Sequence, residues 1–495
     1  MDKKKKTLII GAVVLVLLVG VLVFLLLTQD KAKQGGEESS SASTAAETFP
    51  LIEENVDNFT SLEVTNQSGS YIMNASGEGE DKTYGIEELK GYPEQDSNYS
   101  YAAETLSTLE AGKKVLDTVE DKAKYGLDEP AATAKVSYKD KSYTLYLGDQ
   151  TPDDANGYYF MMEGDDALYT VKSDVGSLMQ EDKFYYLNRD MTKSYTATEE
   201  GAPEINKVTV TRKDMEEPIV LEKTELASDG TNTVYLSTMK MLSPVECDMD
   251  YELDANYIST LFGLSAQKVL AFYDEKDAAK YGFDDPEYTM EMEYDGGRAK
   301  IIVGDVLPSQ ETDTEGSEYH YAICNDNGLV YRFDVTKIGL TKVDLNEVIS
   351  KMPLVPMITD VEKIDLNIDG KAYEFTLKHT EAASEDEKDK VEATCNGQTV
   401  DEANFRLFYQ LLIGMSIEKL NTEPVATEPL SEIKVVYHYN NGQSDDTLTA
   451  KEVENRRLRV NINGEDRFEG RAAYLDKLSQ ELQNLLDGKT VDTSW

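Results

Sequence analysis

Cysteine, histidine and positive charge are all scarce in this sequence of 495 residues. It contains three Cys and three His, and 49 Lys and Arg stand against 94 Asp and Glu, which gives a formal net charge of −45. Because the Cys form no C-x-x-C pair, neither a disulfide framework nor a zinc knuckle is expected. A polyanion of this size repels phosphates, so nucleic acid is not an expected partner. No cofactor is expected either.

Long apolar runs are absent after residue 27, but one precedes it. The uncharged stretch 7–27 follows four lysines at 3–6, and as a helix it would be about 31 Å long, which matches a hydrocarbon core. A cleaved signal peptide is the alternative, but the run is long for one and no small-x-small site follows it. We predict a cytoplasmic tail over 1–6, a transmembrane helix over 7–27 and a flexible linker over 28–47. The protein is therefore expected at the cell membrane, single-pass, with its bulk extracytoplasmic.

The chain spells one heptapeptide almost twice: "KYGLDEP" at 124–130 and "KYGFDDP" at 280–286. Tyr281 follows Tyr125 by 156 residues, and Gly304 follows Gly148 by the same offset. Landmarks at one offset indicate internal duplication. "LIGMSIEKL" at 412–420 resembles "LFGLSAQKVL" at 261–270 and indicates a degenerate third copy. We predict repeat modules over residues 48–195, 196–355 and 356–495.

Alternating apolar residues and short turns predict mainly antiparallel sheet in each module. Hairpin turns are expected at Asp369-Gly370, at Asp295-Gly296 and at Asn463-Gly464. Helical spacing after Asp401 predicts a capped helix, and Gly488 is expected to end a last one. The predicted fold class is α+β: an N-terminal transmembrane helix, then three tandem modules of sheet with one or two helices each.

The repeated heptapeptide has the residue types of a helix end. Its glycine can adopt a left-handed conformation, the apolar residue after it can fold back, and its proline prevents the helix from continuing. A ligand-contacting role is the alternative. We predict a structural role for Tyr125, Gly126, Asp128, Pro130, Gly148 and Asp149, and for their counterparts Tyr281, Gly282, Asp284, Pro286, Gly304 and Asp305.

Several motifs suggest chemistry but are incomplete. Ser265-x-x-Lys268 and Ser416-x-x-Lys419 match S-x-x-K, yet the sequence has no Lys-Thr-Gly partner. The run 365–370 matches the first half of a calcium loop, but Thr376 stands where the bidentate Glu belongs. We therefore predict no catalytic residue and no metal site, with an envelope hydrolase as the enzymatic alternative.

Two segments could instead contact a ligand. The acidic loop of Asp149, Asp153, Asp154 and Asn156 could hold a cation weakly, or it could simply be solvated. Aromatic residues follow this loop and its counterpart in the second copy, and they could stack on a sugar or a partner protein. The predicted binding residues are Tyr158, Tyr159, Phe160, Tyr319 and Tyr321.

The order of these landmarks resembles a known family. Tyr125-Gly-Leu-Asp-x-Pro130, then Leu147-Gly-Asp149 and a strand bearing tyrosines, is similar to the domain-of-unknown-function family numbered 4340. The resemblance implies a single-anchor bacterial envelope protein, often encoded beside ABC-2-type exporter genes, with an ABC transporter permease or auxiliary subunit as partner. It lends no catalytic residues. The expected function is a non-catalytic accessory or scaffold protein, with a glycan- or peptide-binding envelope module as the alternative.

Overall fold

The fold is built mainly from antiparallel sheet. In a computed structural model of the chain, the residues described are 49–152, 157–195, 203–224, 236–380, 389–420 and 429–494. Within them, strands take up 44% of the residues and helices 22%. The predicted α+β class is therefore wrong, because much of the expected helix consists of single turns. None of the described helices has the length and apolar character needed to cross a bilayer. The predicted spanning segment 7–27, its tail and its linker lie outside the described residues.

The strands fall into three groups along the chain. The first group is β1 (Phe49–Pro50), β2 (Phe59–Asn66), β3 (Gly69–Ser76), β4 (Thr83–Ile86), β5 (Glu110–Ala111), β6 (Lys113–Leu116), β7 (Ala132–Tyr138), β8 (Ser142–Gln150), β9 (Gly157–Met162) and β10 (Leu168–Lys172). The second is β11 (Ile205–Arg212), β12 (Ile219–Lys223), β13 (Leu236–Ser243), β14 (Cys247–Asp250), β15 (Lys268–Phe272), β16 (Tyr288–Tyr294), β17 (Gly297–Val306), β18 (Tyr319–Cys324) and β19 (Leu329–Asp334). The third is β20 (Val361–Ile368), β21 (Lys371–Thr380), β22 (Lys390–Cys395), β23 (Gln398–Thr399), β24 (Ile417–Leu420), β25 (Ser431–Tyr439), β26 (Asp446–Val453), β27 (Arg457–Ile462) and β28 (Glu465–Arg471).

Three of the described α-helices have twelve or more residues, and the others are shorter. The α-helices are α1 (Asp96–Ser107), α2 (Ser173–Gln180), α3 (Ala278–Tyr281), α4 (Leu345–Val348), α5 (Glu402–Ile413) and α6 (Ala473–Leu486). Single turns of 3-10 helix are Val56–Asn58, Gly79–Asp81, Glu87–Leu89, Ala123–Tyr125, Lys183–Tyr186, Ser259–Leu261, Glu275–Asp277, Val335–Lys337, Gly339–Thr341 and Glu454–Arg456, and Asp254–Ile258 is a π-helical turn.

The described residues form two compact units. The first contains residues 49–69, 77–82 and 102–180, and the second contains residues 70–76, 83–101 and 181–494. In the first unit, strands are hydrogen-bonded in the order β2-β7-β8-β9-β10-β6. The second unit holds two nine-stranded sheets. Sheet 2 has the order β14-β13-β12-β11-β16-β17-β18-β19-β15, and sheet 3 has the order β23-β22-β21-β20-β25-β26-β27-β28-β24.

These orders follow one pattern. The last strand of each order, β6, β15 or β24, comes earlier in the chain than the strand beside it, which is β10, β19 or β28. The register agrees as well: Ala134 lies opposite Leu145 in the first unit, and Met290 lies opposite Ile301 in sheet 2. Each of these residues is displaced by the offset seen in the sequence. The agreement supports the three-module hypothesis, whose boundaries remain a prediction.

One face of each sheet forms a core, because side chains of successive strand residues alternate in direction. Along β25, Ile433, Val435 and Tyr437 are buried while the residues between them are not. Helix α5 covers this face in sheet 3 with Phe405 and Phe408, which stand against Phe375 of β21 at 5.7 Å between ring centroids.

The turn and cap predictions are confirmed. Asp369 and Gly370 have φ of 49° and 83°, and Asn463 and Gly464 have φ of 51° and 99°, as tight hairpins require. The carboxylate of Asp401 accepts a hydrogen bond from the Asn404 N–H at 2.9 Å and caps α5. Gly488 follows α6 with φ of 68°.

Candidate functional site

The two heptapeptides form the same backbone corner. Gly126 has φ 65° and ψ 24°, and Gly282 has φ 75° and ψ 18°, both left-handed, as predicted. The N–H of Phe283 donates to the Ala278 carbonyl at 2.9 Å, which closes the end of the turn. The helix that ends there is only one turn long, Ala123–Tyr125 in one copy and α3 in the other.

Each corner packs directly against a glycine near the end of the second strand of the following hairpin, Gly148 in β8 or Gly304 in β17. A Cβ on Gly148 would lie 2.1 Å from the Tyr125 carbonyl oxygen, and one on Gly304 would lie 2.0 Å from that of Tyr281. The sequence shows the heptapeptide and the later glycine at the same offset in both copies, but no pattern in it predicts that they are in contact. Asp128, Asp149, Asp284 and Asp305 are exposed, and Pro130 and Pro286 are half-buried. The geometry supports a structural role for the corner.

The aromatic residues predicted to bind a ligand are largely taken up by packing. Phe160 is fully buried, Tyr158 packs against Gly176, and Tyr319 is buried beneath the Arg332 guanidinium at 3.7 Å. Tyr159 stands edge-on to Tyr125 at 4.9 Å between centroids, and Tyr321 stands edge-on to Tyr281 at 5.0 Å. The same contact thus recurs in both copies. Ligand binding by these residues stays a prediction.

The incomplete motifs have ordinary partners. Lys268 pairs with Asp182 at 3.2 Å, and Lys419 pairs with Glu469 at 3.7 Å, so neither lysine is engaged with the serine of its S-x-x-K match. Asp365 accepts from His438 at 2.8 Å, as a strand residue can. Across the described part of the chain, no group of three or more His, Cys, Asp or Glu could hold a metal. Asp153, Asp154 and Asn156 lie outside the described residues.

A segment leading into sheet 2 binds to the turn ahead of its β15. The N–H groups of Met191 and Thr192 both donate to the Leu264 carbonyl, at 2.8 and 3.2 Å, and the Ala266 N–H donates to Arg189 at 2.8 Å. In the first unit, the N–H groups of Leu51 and Ile52 donate in the same way to the Leu109 carbonyl, at 2.8 and 3.1 Å. The segments before these two modules are therefore held alike.

The connection from sheet 2 to sheet 3 repeats this arrangement. The Ser350 N–H donates to Asp248 of β14 at 2.9 Å, and the Ile417 N–H of β24 donates to Lys351 at 2.8 Å. One short segment therefore joins an edge of each sheet. This joint was not predicted, because its residues are distant in sequence and have no shared motif.

A cleft of about 280 Å³ opens beside this joint. Its lining residues come from β13 and β14, from the β26 and β27–β28 region, and from the joint itself with Ser350, Met352 and Leu354. Carboxylates dominate the polar lining: Glu246, Asp248, Asp446 and Glu465 against the single cation Lys240. Phe468 and Ile417 supply apolar surface at its base.

Burial changes the titration of groups in this cleft. Removal from water raises the pKa of the Asp248 carboxyl, and it raises the pKa of the Cys247 thiol to about 12. Burial works against the charge of Lys240, but the hydrogen bond from its Nζ to Glu246 at 2.6 Å leaves its pKa raised. Perturbed titratable groups in a cleft mark a candidate functional site.

The chain is thus a mainly antiparallel β protein with repeated strand order and a mixed acidic and apolar cleft. Residues 86–228 match the family described as Domain of unknown function (DUF4340). This confirms the resemblance over that range, which includes the first corner but not the second at 280–286. No protein of the curated set and no solved structure matches the chain.

Proposed function

We propose that the protein is a non-catalytic, extracytoplasmic accessory or scaffold protein at the cell membrane, which holds a partner protein of an ABC-type export system. The observation that carries the proposal is the cleft between sheets 2 and 3, with its excess of carboxylates and its apolar lining residues. The membrane location and the export partner rest on the sequence alone: the apolar stretch 7–27 and the family resemblance.

The cleft lining indicates the chemistry of the partner. Four carboxylates against one lysine complement a cationic group. Met352 of the lining is 39% exposed, and Val355 and Met357, which follow it in the chain, are 46% and 43% exposed. Adjacent exposed apolar side chains favour protein contact, and methionine adapts to varied shapes. The expected partner segment therefore carries a Lys or Arg flanked by apolar residues.

Glycan or peptide binding by the tyrosine-bearing strands is less well supported. The rings of Tyr159 and Tyr321 already contact Tyr125 and Tyr281, and both residues are half-buried. Stacking on a ligand needs an accessible ring face.

Site-specific photo-crosslinking tests the proposal. A crosslinking residue is placed at Met352 in the full-length chain in its native membranes, and the control is placed at Leu486, an exposed apolar residue of α6. We expect an adduct with a permease or auxiliary subunit from position 352 only. Glu246→Gln combined with Asp248→Asn should reduce that adduct. Equal adducts at the two positions, or none at 352, would contradict the proposal.

A further inference from the structure

A second concave site lies on sheet 3, where the prevailing charge of the chain is reversed. It has a volume of about 270 Å³ and is lined by residues of β26 and β27 together with Pro429 and Asp466. Its polar groups include Lys451, Arg459, Thr449 and Asn461. In a chain with a formal net charge of −45, two neighbouring cations in one pocket are unexpected.

The two cations lie opposite each other on adjacent strands of the sheet. Lys451 of β26 lies directly opposite Arg459 of β27, and Thr449 lies directly opposite Asn461. Like charges at directly opposed positions destabilise a sheet. A carboxylate lies opposite each cation on its other side, Glu432 of β25 beside Lys451 and Glu469 of β28 beside Arg459, so the opposition alone does not indicate a ligand.

Arg459 is also buried without full hydrogen bonding. Its exposure is 8%, and among the described residues its Nε and Nη1 find no hydrogen-bond partner. The nearest carboxylate oxygen, Oδ1 of Asp466, is 3.5 Å from Nε, which is too far for a good hydrogen bond. The Nζ of Lys451 is likewise 3.5 Å from a carboxylate oxygen of Glu432. A buried guanidinium with unmet N–H groups is costly unless an acceptor occupies the pocket.

We propose that this pocket binds an oxyanion, either a carboxylate or a phosphate group. The planar guanidinium offers donors at the spacing of two anion oxygens, and the ammonium adds a second positive charge. The Thr449 hydroxyl and the Asn461 amide provide further neutral donors. The site is separate from the acidic cleft and does not depend on the function proposed for it.

Titration of the full-length chain tests the site. Inorganic phosphate and succinate are titrated separately at constant ionic strength, with sodium chloride as reference, and heat of binding and Tm are recorded. Saturable binding of phosphate alone identifies a phosphate site, and binding of succinate alone identifies a carboxylate site. We expect Arg459→Met to weaken binding by about tenfold or more, because a charge-assisted hydrogen bond is lost.

Three further variants keep the proposal testable if the buried Arg459→Met variant does not fold. Lys451→Met removes the half-exposed cation and should also weaken binding about tenfold. Lys378→Met removes an exposed cation from β21 of the same sheet and should leave binding unchanged. Asp466→Asn removes the competing carboxylate and should tighten binding. The proposal is overturned if neither anion binds in a saturable manner, or if Lys451→Met and Lys378→Met behave alike.

Discussion

Sheets 2 and 3 share nine strands in one order, yet the heptapeptide that forms the left-handed corner beside sheet 2 does not recur in the sequence of sheet 3. In sheet 3, the residues at 421–428 that replace the corner in sequence lie outside the described part. The shared strand order therefore does not depend on the heptapeptide. The corner packs a turn against the following hairpin locally, and it does not specify the topology.

The strand register shows what sheet 3 has in place of the second glycine. Met290 pairs with Ile301, and Ile433 pairs with Ala450. Three residues beyond those partners lie Gly304 in sheet 2 and Val453 in sheet 3. A β-branched side chain therefore stands in sheet 3 where sheet 2 cannot hold even a methyl group.

The largest effect is expected from exchanging these residues. Gly304→Val should destabilise sheet 2 by about 3 kcal/mol or more, because its side chain would overlap the Tyr281 carbonyl. Val453→Gly should cost only about 1 kcal/mol, as glycine does in a strand. Hydrogen exchange of the β16–β17 and β25–β26 peptides measures each effect locally. Equal losses would remove the distinction between the two sheets.

A smaller loss of stability is expected from alanine at Gly282, and a control position distinguishes backbone strain from steric overlap. Gly282→Ala should cost about 2–3 kcal/mol, because φ is positive and a Cβ would lie 2.7 Å from the Asp305 nitrogen. The matched control is Gly296→Ala, where φ is 84° and nothing lies within 4 Å. It should cost about 1 kcal/mol. Unfolding by urea gives both values, and identical losses would mean that the corner does not pack as tightly as described.

The next largest loss of stability is expected from removing the tyrosine contact. Tyr321→Ala should destabilise sheet 2 by about 2 kcal/mol, since a half-buried ring and its edge-on contact with Tyr281 are lost. Tyr159→Ala should have a matching effect in the first unit through Tyr125. A variant that keeps its thermal stability but loses binding to purified wall polymers would favour the ligand-binding alternative.

The smallest effect concerns the cleft. Burial raises the pKa of Asp248, so its charged form destabilises the folded state near neutral pH. Asp248→Asn should therefore raise Tm at pH 7, and the difference should vanish below about pH 4, where the carboxyl is protonated in both states. Asp140→Asn, at an exposed position, is the control. A benefit that persists at low pH would point to a cause other than ionisation.

Local features were predictable from the sequence, whereas long-range ones were not. The left-handed glycines, the Asp369-Gly370 hairpin and the Asp401 cap follow from residues within a few positions of one another. The predicted fold class was wrong because strands outnumber helices and several helices are single turns, such as Ala123–Tyr125 before the first corner.

The two candidate sites could not be predicted from the sequence for a related reason. Arg459 and Lys451 face each other only because β26 and β27 pair in one register, and a shift by one residue would separate them. The cleft carboxylates come from two sheets joined by Ser350 and Lys351. Neither set has a spacing in sequence that signals chemistry.

The way that the chain enters the first unit has a mechanical consequence. β1 pairs with β5, and Leu51 and Ile52 anchor to Leu109 immediately afterwards. Any pull applied through the chain before residue 49 is therefore borne first by this short pairing, before it reaches the main sheet.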